Sequence, residues 1–148
     1  MRGADGRHLP VIGEGTLAEV LGVLAQVPEL AHGRPAAHYR QRLDGRRALL
    51  LVARQADRPV GFKAGYALQA GIFYSWIGGV VPSARGQGIA QALMEAQQQW
   101  ALAQGFSTIE VKSSAQFPAM LALLARNGYR LLGEEAGKLR FGKALHAG

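Results

Sequence analysis

The sequence predicts an α+β fold in a single domain, with helices flanking a mixed, mainly antiparallel sheet. The chain has 148 residues, 49% of them hydrophobic, which suits one domain over residues 1–148 with one core. Two patterns give the fold class. Three apolar runs of strand type follow one another in the middle of the chain, and helical and strand periods alternate after them.

The first half of the chain predicts a strand, two helices and a three-stranded antiparallel meander. Thr16 offers a helix N-cap, with Glu19 three residues later as its capping-box partner, and Pro28 stops that helix. Turn sequences at residues 57–59 and 70–71 separate the strands. The predicted strands are residues 9–14, 48–54, 60–68 and 72–81, and the second helix is residues 36–43.

The second half predicts alternating helices and strands. A long helix over residues 86–104 carries an apolar stripe and ends at Gly105. A strand over 106–112 and a helix over 117–126 come next. Two closing strands, 129–133 and 138–145, complete the predicted sheet.

Composition and charge limit the function. The absence of cysteine excludes a disulfide framework, a cysteine–metal site and a cysteine nucleophile, and no histidine or carboxylate spacing predicts a metal site. A net charge of +7 suits an acidic partner, such as nucleic acid, anionic lipid or a phosphorylated cofactor, but charge alone favours an ordinary basic surface. Nucleic acid is disfavoured, because the arginine run over 34–47 contains only Tyr39 as an aromatic.

The cellular location is predicted from the absence of a membrane helix and of a signal peptide in the sequence. No apolar run approaches the roughly 20 residues that a membrane helix needs, and residues 1–8 lack a signal core. We therefore expect a cytoplasmic protein with no membrane partner.

The most informative stretch is residues 80–91, where a strand leads through a glycine-containing turn into the long helix. Gly86 and Gly88 let an anion approach the unpaired N–H groups of the first helical turn, and Arg85 adds a guanidinium suited to phosphate. A P-loop would need Lys-Ser or Lys-Thr after a glycine, and a dinucleotide fingerprint would need a small residue at Gln91. The turn therefore predicts a phosphate site of another kind.

At these residues the chain resembles the GNAT superfamily of acetyltransferases. Arg85, Gly88 and Ala90 match the superfamily signature [RQ]-x-x-G-x-[GA], and Val80 and Pro82 match the V-x-P that usually precedes it. The resemblance implies an N-acetyltransferase that moves an acetyl group from acetyl-CoA, its cosubstrate, to a primary amine. Direct attack in a ternary complex is expected, and the acceptor would be a small-molecule or peptide amine.

The resemblance also implies where the cofactor lies. In the superfamily the fourth strand splays from the next one and the pantetheine arm occupies the opening. Gly78 and Gly79 are a plausible bulge there, since glycine inside a strand pattern often marks one. The implied pantetheine contacts are Gly79, Val80 and Val81, and the implied pyrophosphate contacts are Arg85, Gly86, Gln87, Gly88, Ile89, Ala90 and Gln91.

Phe117 and Leu124 stand where many members carry an asparagine and a proton-donating tyrosine, so the usual proton donor is absent. Glu110, in the strand after the long helix, is a candidate base for the acceptor amine, or a strand carboxylate paired with Lys112 or an arginine. Tyr74 is a second candidate base, although an aromatic residue in a strand is more often there for packing.

The residues that bind the acceptor amine and the overall activity each have more than one interpretation. Candidate acceptor contacts are Glu29 and Tyr39, in the segment that often closes over the acceptor in the superfamily, together with Tyr74. A homodimer is possible. A non-catalytic acyl-CoA-binding or regulatory domain is the main alternative function, and a nucleic-acid-binding module is a third.

Overall fold

A computed structural model describes residues 9–146, and it confirms the predicted α+β fold. The polar segment from Met1 to His8 lies outside the described residues. The strands are β1 Val11–Glu14, β2 Ala48–Gln55, β3 Arg58–Gln69, β4 Ile72–Val80, β5 Thr108–Ser113, β6 Arg130–Glu135 and β7 Lys138–Ala144. The helices are α1 Leu17–Leu24, α2 Ala36–Leu43, α3 Ile89–Ala103 and α4 Pro118–Arg126, and a 3₁₀ turn spans Pro82–Ala84.

The seven strands form one sheet in the order β1-β2-β3-β4-β5-β7-β6. The β4–β5 pair is parallel, whereas the other neighbouring pairs are antiparallel. A parallel pair needs a crossover, and α3 provides it between β4 and β5. The meander and the mixed sheet therefore follow the prediction.

Both faces of the sheet are covered by helices. On one face, a Cβ added to Gly61 of β3 would lie 3.1 Å from Ile89 and 3.3 Å from Leu93, so α3 packs closely there. On the other face, a Cβ at Gly79 of β4 would lie 3.2 Å from Val27 and 3.1 Å from Leu30, in the segment after α1. The core therefore has two layers of helix around a central sheet.

Local sequence signals explain where the elements begin. Glu19 N–H donates to the Thr16 hydroxyl at 3.1 Å and the Glu19 carboxylate accepts from Thr16 N–H at 3.0 Å, which forms the predicted capping box of α1. Pro118 occupies the first turn of α4, where its missing N–H costs no helical hydrogen bond.

Most predicted boundaries differ from the structure by one to three residues, and two of these differences have a clear backbone cause. The helix α3 begins at Ile89 instead of residue 86, because Gly86 and Gly88 have φ of +77° and +81°, which no helix accepts. The turn before β3 is made by Ala56 and Asp57, whose φ values are +49° and +64°, so β3 already begins at Arg58.

Within residues 9–146, none of the helices combines the length and the apolar character needed to cross a membrane.

The close approach of β3 and β4 at Gly65 gives a stability prediction. A Cβ there would lie 2.5 Å from the Phe73 ring and 2.5 Å from the Tyr74 carbonyl oxygen, so Gly65→Ala should destabilise the fold by about 1–3 kcal/mol. Gly13→Ala is the matched control, since none of residues 9–146 comes within 4 Å of a Cβ built at that position. Urea unfolding of both variants measures the difference, and equal midpoints would contradict the close packing at Gly65.

Candidate functional site

An opening separates β4 from β5 along most of the length of β4. The two strands pair only from Ile72 with Thr108 to Ser75 with Val111, whereas β4 continues to Val80. Beyond Ser75, the β4 backbone that faces β5 therefore has no partner strand on that side. This confirms the splay predicted at the fourth strand.

A bulge at Trp76 accompanies the start of the opening. Ser75 pairs with Gly65 and Ile77 pairs with Ala64, so Trp76 is an extra residue in β4. The bulge predicted at Gly78 and Gly79 is wrong.

Gly78 and Gly79 instead keep regular register with Lys63 and Phe62. Glycine at these positions is explained by packing. A Cβ at Gly78 would approach the Phe62 carbonyl oxygen to 3.1 Å, and Gly79 lies beneath Val27 and Leu30.

The predicted phosphate turn follows β4 and leads into α3. Gly88 is the N-cap, with φ +81° and ψ 12°, and the first helical hydrogen bond runs from Ala92 N–H to the Gly88 carbonyl at 3.0 Å. Among the described residues, none accepts from the N–H groups of Gly88, Ile89, Ala90 and Gln91. These donors and the positive end of the helix dipole suit an anion.

The turn also leaves space for a ligand. Nothing among residues 9–146 lies within 4 Å of the positions that a Cβ would take at Gly86 and Gly88. The side chain of Ile89, by contrast, is 2% exposed and packs on the sheet, so only its backbone is available to a ligand.

Two glutamines of the predicted cofactor set have side chains that bind protein groups. Gln87 Oε1 accepts from Gln55 Nε2 at 2.7 Å. The Gln91 amide exchanges two hydrogen bonds of 2.8 Å with Asn127, which joins the start of α3 to the end of α4. Both residues therefore offer backbone groups rather than side chains to the turn.

Arg85 is held between the turn and the segment after α1. Its Nε donates to the Val80 carbonyl oxygen at 3.0 Å, and its Nη2 forms an ion pair with Glu29 Oε2 at 2.7 Å. The two side chains are 44% and 43% exposed, so solvent screens this pair. Glu29, predicted at the acceptor, thus contacts the predicted phosphate arginine.

A charged cleft of about 170 Å³ lies beside the opening. Tyr74 and Glu110 line it and form the last ladder pair before Ser75 and Val111. The structure therefore brings the two candidate catalytic residues together. The remaining lining residues are Arg42, Tyr66, Leu68, Lys112, Glu135 and Arg140.

The carboxylates of the cleft are paired with cations. Arg140 Nη1 donates to Glu110 Oε1 at 3.0 Å, and Lys112 Nζ lies 3.3 Å from Glu135 Oε1. Of the two partners predicted for Glu110, the structure has an arginine rather than Lys112. Burial, and then the neighbouring Tyr66, raise the pKa of Tyr74.

Other candidates lie away from the cleft. Tyr39 is 4% exposed and packs against Trp76, with ring centroids 5.9 Å apart. Leu124 is buried, so it offers no polar group where a tyrosine is common. Sequence reasoning missed Arg42, Tyr66, Glu135 and Arg140 as cleft residues, because their positions depend on long-range strand register that local patterns do not carry.

Lys63 is a buried cation on β3. It pairs with Gly78, which belongs to the part of β4 that borders the opening. Burial lowers the pKa of Lys63 to about 8. Among the described residues, none accepts a hydrogen bond from its ammonium group. Within the same part of the chain, no group of histidine and carboxylate side chains could hold a metal ion.

The model of the Acetyltransferase (GNAT) family matches residues 21–129. The matched range contains the β4–β5 opening, the turn after β4 and most of the cleft. No curated protein sequence matches the chain.

Solved structures with similar folds include three acetyltransferases. The ribosomal-protein-S18-alanine N-acetyltransferase of Escherichia coli superposes with a TM-score of 0.79 at 17% identity, covering 95% of this chain and 97% of that chain. An IAA acetyltransferase from Bacillus cereus superposes with a TM-score of 0.76 at 20% identity, covering 93% of this chain and 100% of that chain. The PaiA N-acetyltransferase of Thermoplasma acidophilum, in complex with coenzyme A, superposes with a TM-score of 0.74 at 12% identity. The match covers 92% of this chain and 99% of that chain.

Lys63 makes stability depend on pH. The unfolded chain keeps this lysine protonated up to about pH 10.4, whereas the folded chain releases the proton near pH 8. Between these values the unfolded state binds more protons, so the free energy of unfolding should rise with pH by about 3 kcal/mol from this group. Lys63→Met removes this group, so its free energy of unfolding should exceed that of wild type at pH 7. By pH 10.5 the difference should be smaller by about 3 kcal/mol, as measured by urea unfolding. A gain that is constant with pH would contradict the lowered pKa.

Proposed function

The chain belongs to the GNAT acetyltransferase family, and from that premise we propose that it transfers an acetyl group from acetyl-CoA to a primary amine. The observation that carries this proposal is the adjacency of two features along one strand. The unpaired part of β4 borders the opening, and it leads directly into a helix start with unpaired N–H groups.

The turn suits the pyrophosphate of acetyl-CoA. The free N–H groups from Gly88 to Gln91 would donate to its oxygens, and the open space at Gly86 and Gly88 would let the phosphates approach. Arg85 would contribute its charge from the edge of the turn, where the Val80 carbonyl oxygen already orients it.

The opening suits the pantetheine arm. Its amide groups would pair with the β4 backbone from Ile77 to Val80, in the place that a neighbouring strand would otherwise take. Gly79 and Val81, whose side chain is buried, would contribute backbone groups to this side of the opening. This arrangement would bring the thioester toward the bulge at Trp76, close to the cleft that Tyr74 and Glu110 line.

The chemistry proposed is direct attack by the amine on the thioester carbonyl carbon. The new C–N bond forms as the C–S bond breaks, and coenzyme A leaves as a thiolate. Glu110 would take the proton that the amine loses, since only its Oε1 is bound by Arg140 and no described residue donates to Oε2. A thiol has an ordinary pKa of about 8.5, so the thiolate can leave without the tyrosine that Leu124 replaces.

Leu124 also supports a second candidate function. A buried leucine in place of a proton donor suits a domain that binds acyl-CoA without turnover. Calorimetry with acetyl-CoA and a thiol-release assay over a panel of amines separate the two. Binding with amine-dependent thiol release supports the enzyme, and binding with no release from any amine supports the binding domain. No binding at millimolar acetyl-CoA would exclude both.

The helix start gives the first prediction of this section. Gly88→Asp places a negative charge beside the proposed pyrophosphate and should weaken acetyl-CoA binding about tenfold or more, as measured by calorimetry. Gly105→Asp is the matched control, because Gly105 lies just past the other end of α3, also has a positive φ, +92°, and also has open space at its Cβ position. Equal affinities for both variants would remove the turn as the anion site.

Glu110 gives the second prediction. Glu110→Gln keeps the size of the side chain but removes the base, so kcat for acetyl transfer should fall roughly 100-fold or more near neutral pH while acetyl-CoA affinity is kept. Glu134→Gln is the control, since Glu134 is an exposed carboxylate of the nearby β6 that does not line the cleft. Full turnover by Glu110→Gln across the pH range would exclude Glu110 as the base.

A further inference from the structure

The cleft beside the opening has a distinct balance of charge, and the inference drawn from it rests on the proposed acetyl transfer. Its walls contain two carboxylates, Glu110 and Glu135, and three cations. Arg140 and Lys112 pair with the two carboxylates at 3.0 Å and 3.3 Å. The third cation, Arg42, has no carboxylate within ion-pair distance among the described residues.

Arg42 is nevertheless fixed in place. Its Nε donates to the Tyr66 hydroxyl at 2.8 Å, and its guanidinium carbon lies 5.1 Å from the centroid of the Trp76 indole. The same carbon lies 5.7 Å from the Tyr66 ring, and Arg46 lies over that ring at 4.5 Å. These contacts leave the two terminal nitrogens of Arg42 without an acceptor among residues 9–146.

A fixed guanidinium with free donors at the wall of a cleft is suited to an anion. Its rigidity means that little conformational entropy is lost on binding, and its paired N–H groups match the two oxygens of a carboxylate. We propose that the acceptor of this chain is a small amine that also carries a carboxylate, which Arg42 binds while the amine faces Glu110.

The size of the cleft favours a small acceptor. At about 170 Å³ it lies below the range of about 300–1,000 Å³ that is typical of pockets for drug-sized ligands. An acceptor that carries its amine and its carboxylate within a few bonds of each other, as an amino acid does, suits a cleft of this size. The rings of Tyr66 and Tyr74, with centroids 5.5 Å apart, form an aromatic wall for the carbon atoms of such a molecule.

The charges also distinguish this acceptor from a polyamine. An acceptor with two or more cationic groups would meet Arg42, Lys112 and Arg140 with only two carboxylates, both already paired. A carboxylate-bearing amine instead brings the negative charge that the cleft lacks.

The test compares amino acids with their carboxamides, which keep the amine and the side chain but lose the negative charge. With acetyl-CoA present, thiol release should give a kcat/KM about 10–100-fold higher for the acids than for the amides. In Arg42→Gln this preference should fall to about one. Arg40→Gln, on the exposed side of the same helix and outside the cleft, should keep the preference of the wild type.

Each outcome decides the proposal. Amides or polyamines that are used as well as the acids would overturn it, and so would an Arg42→Gln variant that keeps the preference. If thiol is released from no amine, the proposed acetyl transfer is wrong. The anion site can still be tested, because calorimetry on the protein with acetyl-CoA compares the binding of the acids with that of the amides. Tighter binding of the acids that depends on Arg42 would then support the anion site, and absent or equal binding would overturn it.

Discussion

The early end of the parallel ladder between β4 and β5 is the constraint on which the rest of the site depends. β4 and β5 part after Ser75, where the extra residue Trp76 changes the direction of β4 while β5 continues along β7 to Ser113. The remaining edge of β4 therefore faces a space that another strand does not fill. The crossover helix that makes this pair parallel also starts at the far end of β4, which places unpaired donors beside the same space.

Most of the fold could be predicted because its signals are local. Hydrophobic period, the capping box at Thr16 and Glu19, and turn glycines depend on residues a few positions apart. The glycine turn was also local, although its two positive φ values delay the start of α3 to Ile89. The family resemblance in that turn added the candidate pantetheine contacts Gly79, Val80 and Val81, which no local rule gives alone.

The cleft could not be predicted in the same way, because its composition is set by contacts distant in sequence. Arg42 meets Tyr66 across 24 positions, and Glu110 meets Arg140 across 30. The arginine run had too few aromatics in its own segment to suggest stacking, yet the sheet supplies them. Arg47 likewise lies over Phe106, at 5.1 Å from the ring centroid. A strongly basic composition is thus partly accounted for by cation–π contacts.

The ion pair between Arg85 and Glu29 joins two segments that border the site. It joins the turn that precedes α3 to the segment that covers Gly79, so both sides share one guanidinium. An anion that draws Arg85 away from Glu29 changes the free energy of that covering segment, and linkage requires the reverse effect to be equal in size. Because solvent screens this half-exposed pair, any such coupling is limited to about 1 kcal/mol or less.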